Sequence, residues 1–348
     1  MTDIEMSISI GAVIVVGVIV YNKWQEHKAR KSVARAFSSD HDDVLMRSDE
    51  PREPSFGMGG DAGGEAPLGP SLPGTDPAIP AAELAISLVD PLIDCLIPLA
   101  LEVAVRGDKI LPVLQTLRHV GNKPVHFIGM HVNGDWEPIT HGGVYTKLQA
   151  GVQMASRTTA LNELEYSELV TRLRVLSDEI GAEPEIPDMI EVMGEALTLH
   201  RFVAGHDAQL GVNLLSNGAP WSIATLIGAL EKQGFDVRPD GRYIMPDGDG
   251  GQLFTLSTNV TLGADTTSRL TLLLDVPCVA PARDGFGRMV ETARGLTQRL
   301  DATIVDDFDQ PLVDEALDEI KSQVGEFYQE MDAADIPAGS TRALRLFS

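Results

Sequence analysis

From Ile8 to Tyr21 the chain reads ISIGAVIVVGVIVY without a charge. Reaching back over Ile4 and Met6 gives about 18 apolar residues, near the short end of what crosses a hydrocarbon core. The stretch starts acidic (Asp3, Glu5) and ends in Tyr21-Asn22-Lys23-Trp24. A cleaved signal peptide has the reverse features, a basic start and a small-residue cleavage site. The pattern therefore predicts a retained transmembrane anchor over residues 1–22. Lys23, His27, Lys28, Arg30 and Lys31 follow the apolar run and nothing basic precedes it. By the positive-inside rule the N-terminus faces outward and everything after residue 22 lies in the cytoplasm. Residues 23–37 read as a basic juxtamembrane segment. Residues 38–83 are rich in Ser, Asp, Pro and Gly and lack apolar periodicity, which predicts a disordered linker.

Beyond residue 83 the periodicity returns, twice. The first passage (84–205) predicts strand Ile93–Val105, helix Asp108–Val120 closed by Gly121, strands Val125–Val132 and Val144–Ala155, and helices from Glu165 to Ile180 and Met189 to Phe202. The second (206–333) predicts strand Gln209–Ser216, helix Trp221–Gln233 closed by Gly234, and extended pieces through Phe235–Met245. Strands Leu253–Val260 and Leu270–Val276, helix Phe286–Leu300, strand Thr303–Val305 and helix Pro311–Met331 complete it. Leu169, Val170, Leu173 and Leu176 line up with Met289, Val290, Ala293 and Leu296, and Ala182 with Ala302. A spacing of about 115 residues is domain-sized and too long for a solenoid repeat, so a duplicated domain is expected. Residues 334–348 form a C-terminal tail.

Phe254, Leu256 and Val260 alternate with Leu253, Thr255, Ser257 and Asn259, the pattern of a strand with one covered and one half-polar face. An antiparallel sheet tolerates this and a parallel one does not. The expected fold class is therefore α+β: anchor, linker, then two tandem domains, each an antiparallel sheet with helices on one face. The strand from Tyr145 to Gln153 has a polar outward side, which favours a structural or domain-pairing role for the first passage over a second groove.

Charge narrows the partners. There are 51 Asp and Glu against 27 Lys and Arg, with no basic stripe, so nucleic acid is not expected. The two cysteines, Cys95 and Cys278, stand apart in apolar runs, as core residues of a reducing compartment do. Histidines 119, 126, 131 and 141 lack metal-ligand spacing. Asp247-Gly248-Asp249-Gly250-Gly251 reads as a hairpin turn, and Asp306, Asp307 and Asp309 as caps at a helix entrance. No nucleophile motif, cofactor fingerprint or small-molecule site emerges, so an enzyme is not expected.

An outward N-terminus, one span, a Pro-rich linker and a cytoplasmic α+β domain, with GQLFTLSTNV, then LTLLLDVP, then FGRMVETARGLTQRLDATIVDD, resemble the ZipA family of division proteins over roughly 207–331. The resemblance implies an adaptor that binds the C-terminal tail of FtsZ on the open side of the sheet and links Z-ring filaments to the inner membrane through residues 8–21. It places the peptide site at Gly211, Asn213, Val237, Leu253, Thr255, Asn259, Thr271 and Leu273. Leu273 takes the place of an aromatic and Asn259 that of a methionine, a loss of apolar contact worth about 1–3 kcal/mol. A scaffold of the same layout for another envelope or division partner is the alternative. Ala334–Ala338 and Leu344–Phe347 loosely resemble the tail that such grooves bind, so the C-terminus is either a frayed end or an occupant of the groove.

Overall fold

The computed structural model describes residues 80–238, 242–260 and 265–348, and the anchor, the basic segment and nearly all of the linker lie outside the described residues. No helix among the described residues is long and apolar enough to cross a membrane. Residues 77–348 form one compact unit. It is α+β and contains two six-stranded antiparallel sheets.

The chain enters through helix α1 (Ala81–Leu88), so the expected linker stops short of its last residues. Pro80 pre-sets a helix start, and Ala81-Ala82-Glu83-Leu84 are strong helix formers. Strand β1 (Asp94–Arg106) buries Cys95, Ile97 and Leu99 on one side. Helix α2 (Gly107–Leu114) is shorter than its apolar pattern suggests, because His119–Val120 leaves the helix as strand β2. Gly121 does not cap that helix. At φ 53° it turns the chain between β2 and β3 (Lys123–His131). Then come β4 (Trp136–Pro138) and β5 (Val144–Gln153).

Helix α3 (Glu163–Ile180) has a capping box between Asn162 and Glu165 and ends at Gly181 in the left-handed region, φ 70°. Its buried stripe is Tyr166, Leu169, Leu173 and Leu176, the spacing of one helix face. Strand β6 (Ala182–Pro184) follows, then α4 (Met189–Gly205), whose Asp188 cap accepts from the N–H groups of Ile190 and Glu191. Sheet one has the order β2-β3-β5-β1-β6, with β4 paired to β3.

Sheet two is built from β7 (Gln209–Ser216), β9 (Asp236–Val237), β10 (Tyr243–Pro246), β11 (Gln252–Ser257), β13 (Arg269–Asp275) and β14 (Ala302–Val305). Its order is β14-β7-β13-β11-β10-β9. Two short strands, β8 (Trp221–Ser222) and β12 (Thr266–Thr267), pair separately. Helix α5 (Ile223–Lys232) follows β8, and α6 (Gly285–Leu300) buries Met289, Ala293 and Leu296 under the sheet. In each sheet the strand after the long helix, β6 or β14, lies beside the first strand, β1 or β7. Each is preceded by a left-handed residue, Gly181 or Asp301, and opens on alanine, Ala182 or Ala302.

The two cores are continuous through helix α7 (Asp314–Ala333): Leu317 and Val324 join the second, Met331 the first, and Phe327 and Tyr328 touch both. Arg157 reaches from the first half to Asp275 at the end of β13, with Nη2 2.8 and 2.9 Å from the two carboxylate oxygens.

Two further expectations change. Helices do not keep to one face of sheet one: α1 packs on the side opposite α2, α3 and α4, because Leu96, Ile128 and Trp136 make that side apolar. The C-terminal tail is neither frayed nor seated on sheet two. Helix α8 (Thr341–Leu346) and the turn before it bury Ile336, Ala343, Leu346 and Phe347 in the first core. Arg345 grips Asp94 with both Nη atoms (2.9 and 2.5 Å), and Arg342 grips Asp90 (2.5 and 3.1 Å).

Candidate peptide-binding face

Register fixes which side chains share a face, because residues paired across strands project to the same side. Leu272 pairs with Val212 and with Leu256, all buried under α6, so this set faces the helices. One residue along, the opposite side carries a row running Gly211–Leu273–Thr255–Ile244, with Asp236 at its end. The next row holds Asn213, Thr271 and Ser257. Among the described residues the helices of the second half join the core on the opposite side, and Leu273 is 38 % exposed. A Cβ built on Gly211 meets nothing within 4 Å, so the space over Gly211 beside Leu273 is open.

The second row is knit together. Asn259, held at φ 56°, donates from Nδ2 to Thr271 Oγ1 (2.6 Å), and Thr271 Oγ1 donates to Asn213 Oδ1 (2.6 Å). Asn213 Nδ2 donates to Asp307 Oδ1 (2.9 Å), and Arg269 Nη1 to Asp309 Oδ1 (2.6 Å). Asn213 is 2 % exposed, so its amide is satisfied within the protein. The face thus divides into a polar shelf and an apolar row. A ligand can cover the shelf without breaking it, and draws hydrophobic energy only from the row.

Six of the expected residues, Gly211, Asn213, Thr255, Asn259, Thr271 and Leu273, are brought together on this face. The other two are elsewhere. Val237 pairs with Tyr243 and shares its helix-facing side at the sheet edge. Leu253 is buried in the second core beside Phe254, where a register shift between Met245 and Pro246 breaks the alternation.

Sequence reasoning missed Ile244, Arg269 and Phe308. Ile244 lay in an extended piece of unassigned register. Phe308, 78 % exposed, sits in the loop after β14, next to Asp307, which binds Asn213. The aspartates of that loop are not helix caps, since α7 begins only at Asp314. Asp306 Oδ1 instead accepts from the N–H groups of Phe308 and Gln310, holding the loop in a tight turn. The turn at 247–251 is as expected: Asp247 Oδ1 accepts from the N–H of Asp249 and of Gly251.

Burial raises the Tyr243 hydroxyl on the helix-facing side of sheet two; in the first half burial raises the Asp94 carboxyl against the pull of Arg345, and lowers His126, which Arg345 and His119 lower further. Burial pushes the thiols of Cys95 and Cys278 up to about 12, as befits core cysteines. Among the described residues no group of three or more His, Cys, Asp or Glu is gathered as a metal would require.

Comparison of the whole chain with curated proteins gives no match. Residues 209–323, which carry every strand and loop of this face, match the family model described as ZipA, C-terminal FtsZ-binding domain, and over those residues the chain is ZipA-like.

Proposed function

We propose that the chain is an adaptor of cell division that binds the C-terminal tail of FtsZ on the open face of sheet two and tethers it to the inner membrane through residues 8–21. The observation that carries this reading is the coincidence of the family match over residues 209–323 with an uncovered sheet face presenting Leu273 beside the open space at Gly211. The matched family is a protein-binding division domain, not an enzyme family. Residues 84–205 and 206–333 are two tandem ZipA-like domains in this reading, supported by the like placement of β6 beside β1 and β14 beside β7.

The apolar row binds the non-polar side chains of the tail. With one leucine at its centre it supplies about 1.5–3 kcal/mol for full burial of that side chain, so binding of the isolated peptide is weak. Tethering compensates, because filaments offer many tails to many anchored chains and raise the effective concentration. A second reading, a scaffold for a different division or envelope partner, is favoured by the polar shelf Asn259–Thr271–Asn213, which suits a ligand more polar than an apolar tail. Titrating the full chain with fluorescent FtsZ tail peptide and with peptides from other division proteins separates the two. Saturable binding of the FtsZ tail alone supports the first reading, and its absence beside binding of another peptide supports the second. For the tether, deleting residues 1–22 is expected to move the chain from the membrane pellet to the supernatant. A chain that still sediments overturns that part.

A further inference from the structure

Of the Phe, Tyr and Trp side chains among the described residues, Phe308 alone is exposed, at 78 %. A single hydrophobe in water is ordinary in itself. What sets Phe308 apart is the loop that carries it and the place where that loop is fastened.

The base of the loop is closed by the Asp306 N–H to the Gln310 carbonyl at 2.9 Å and the Leu312 N–H to the Ile304 carbonyl at 3.0 Å. Inside it, Asp306 Oδ1 accepts from the N–H groups of Phe308 and Gln310, both at 2.8 Å, and Asp309 turns the chain at φ 62°. Both neighbours of Phe308 then reach onto the open side of sheet two. Asp307 holds Asn213 on β7, and Asp309 holds Arg269 on β13. Arg269 shares that side with Thr271 and Leu273, two and four residues further along the strand. Phe308 therefore stands between two side chains pinned to the open face.

This position matters to a ligand on the face. Thr271 and Asn213 are two residues along from Leu273 and Gly211, about 7 Å. The polar shelf thus lies between the Leu273–Gly211 row and the loop. Its hydroxyl and amide groups bond one another, so an apolar side chain can cover them without stranding a polar atom. One leucine is a poor anchor alone. A phenyl ring on the far side of the shelf offers a second, larger apolar surface. Because its loop is already held in a turn, binding carries little ordering cost there.

We propose that Phe308 is the aromatic contact of the peptide site on sheet two, and that the FtsZ tail crosses the shelf with an apolar side chain between Leu273 and Phe308. This rests on the reading of sheet two as the tail-binding face. It adds the residue that makes an apolar tail preferred over a polar one.

The test titrates the full chain, in mild detergent, with fluorescent FtsZ tail peptide, unmutated and as Leu273→Asp, Phe308→Ala and Phe308→Trp. Phe308→Ala should weaken binding about tenfold, the effect of removing an anchor side chain. Its thermal midpoint should stay within about 2 °C of the unmutated chain, as an exposed position allows. Phe308→Trp should keep most of the affinity. The emission of the added indole, taken as the difference from the unmutated chain, should shift to the blue and saturate together with the anisotropy when unlabelled peptide is added. Binding that Leu273→Asp weakens, but Phe308→Ala does not, overturns the proposal and leaves the reading of sheet two in place. Weakening by Phe308→Ala with no change in the added indole emission also overturns it, because the peptide then needs the loop and not the ring. A chain that binds no tail peptide at high micromolar concentration removes the reading, and the proposal with it.

Discussion

Leu273 and Asp94 are both on outward faces of their sheets, yet they do opposite work. Leu273 is 38 % exposed, so Leu273→Asp should leave the thermal midpoint within about 2 °C of the original, as surface changes do. Peptide binding to sheet two should fall at least tenfold, read by fluorescence anisotropy. Asp94 has no exposed side-chain surface and is gripped by Arg345, itself mostly covered. Asp94→Ala strands a buried guanidinium, a change of about 3–5 kcal/mol in urea unfolding. His126 faces the same side of sheet one, opposite Gly151. Its folded pKa lies below 6.5, so the unfolded chain takes up the proton first as pH falls. The stability His126 contributes is therefore complete above pH 6.5 and lost as pH drops through its folded value. His126→Gln should flatten the fall in thermal midpoint between pH 7 and pH 5.5, and an unchanged slope would assign that fall to other groups. At this scale the sequence discloses the pairing chemistry but not the side. Leu253 follows alternation in the sequence and Val237 the family resemblance, and a register shift at Met245/Pro246 and an edge strand of two residues turn them away from the open face.

Elements are more legible than residues because their signals are local. Apolar spacing in α3 and α6, the Asn162–Glu165 box and the glycine at 181 announce those helices from neighbouring residues alone. Errors gather where a partner distant in sequence decides. His119–Val120 has helical neighbours but pairs with Lys123–Pro124, and so becomes strand. Ala81–Leu88 is too short to declare itself and becomes a helix on the apolar patch of Leu96, Ile128 and Trp136. The C-terminal tail is the largest such case. Its five buried apolar residues read as a frayed end or a groove occupant until Asp90 and Asp94, some 250 residues earlier in the numbering, meet Arg342 and Arg345. Deleting residues 334–348 removes Ile336, Ala343, Leu346 and Phe347 from the first core. Each buried apolar side chain is worth about 1.5–3 kcal/mol, so the truncated chain should lose several kcal/mol in urea unfolding. It should do so without losing sheet two's peptide binding. Coincident loss of both would mean that the two halves cannot fold apart.

Among the described residues, a sheet covered on both faces is joined to one with an open face. Helix α7 and the Arg157–Asp275 pair join the halves, so a force on a ligand at sheet two passes through a packed body rather than a swivel. The full chain carries a net charge of −24, a sign that repels anionic surfaces. The central claim is that the face of Leu273 and Gly211 binds the FtsZ tail. The most direct measurement is a titration of the full chain, in mild detergent, with fluorescent FtsZ tail peptide, run beside the Leu273→Asp variant. Saturable binding of one peptide per chain, weakened at least tenfold by Leu273→Asp, is the predicted result. Binding that is indifferent to Leu273→Asp, or no binding at high micromolar peptide, would contradict it.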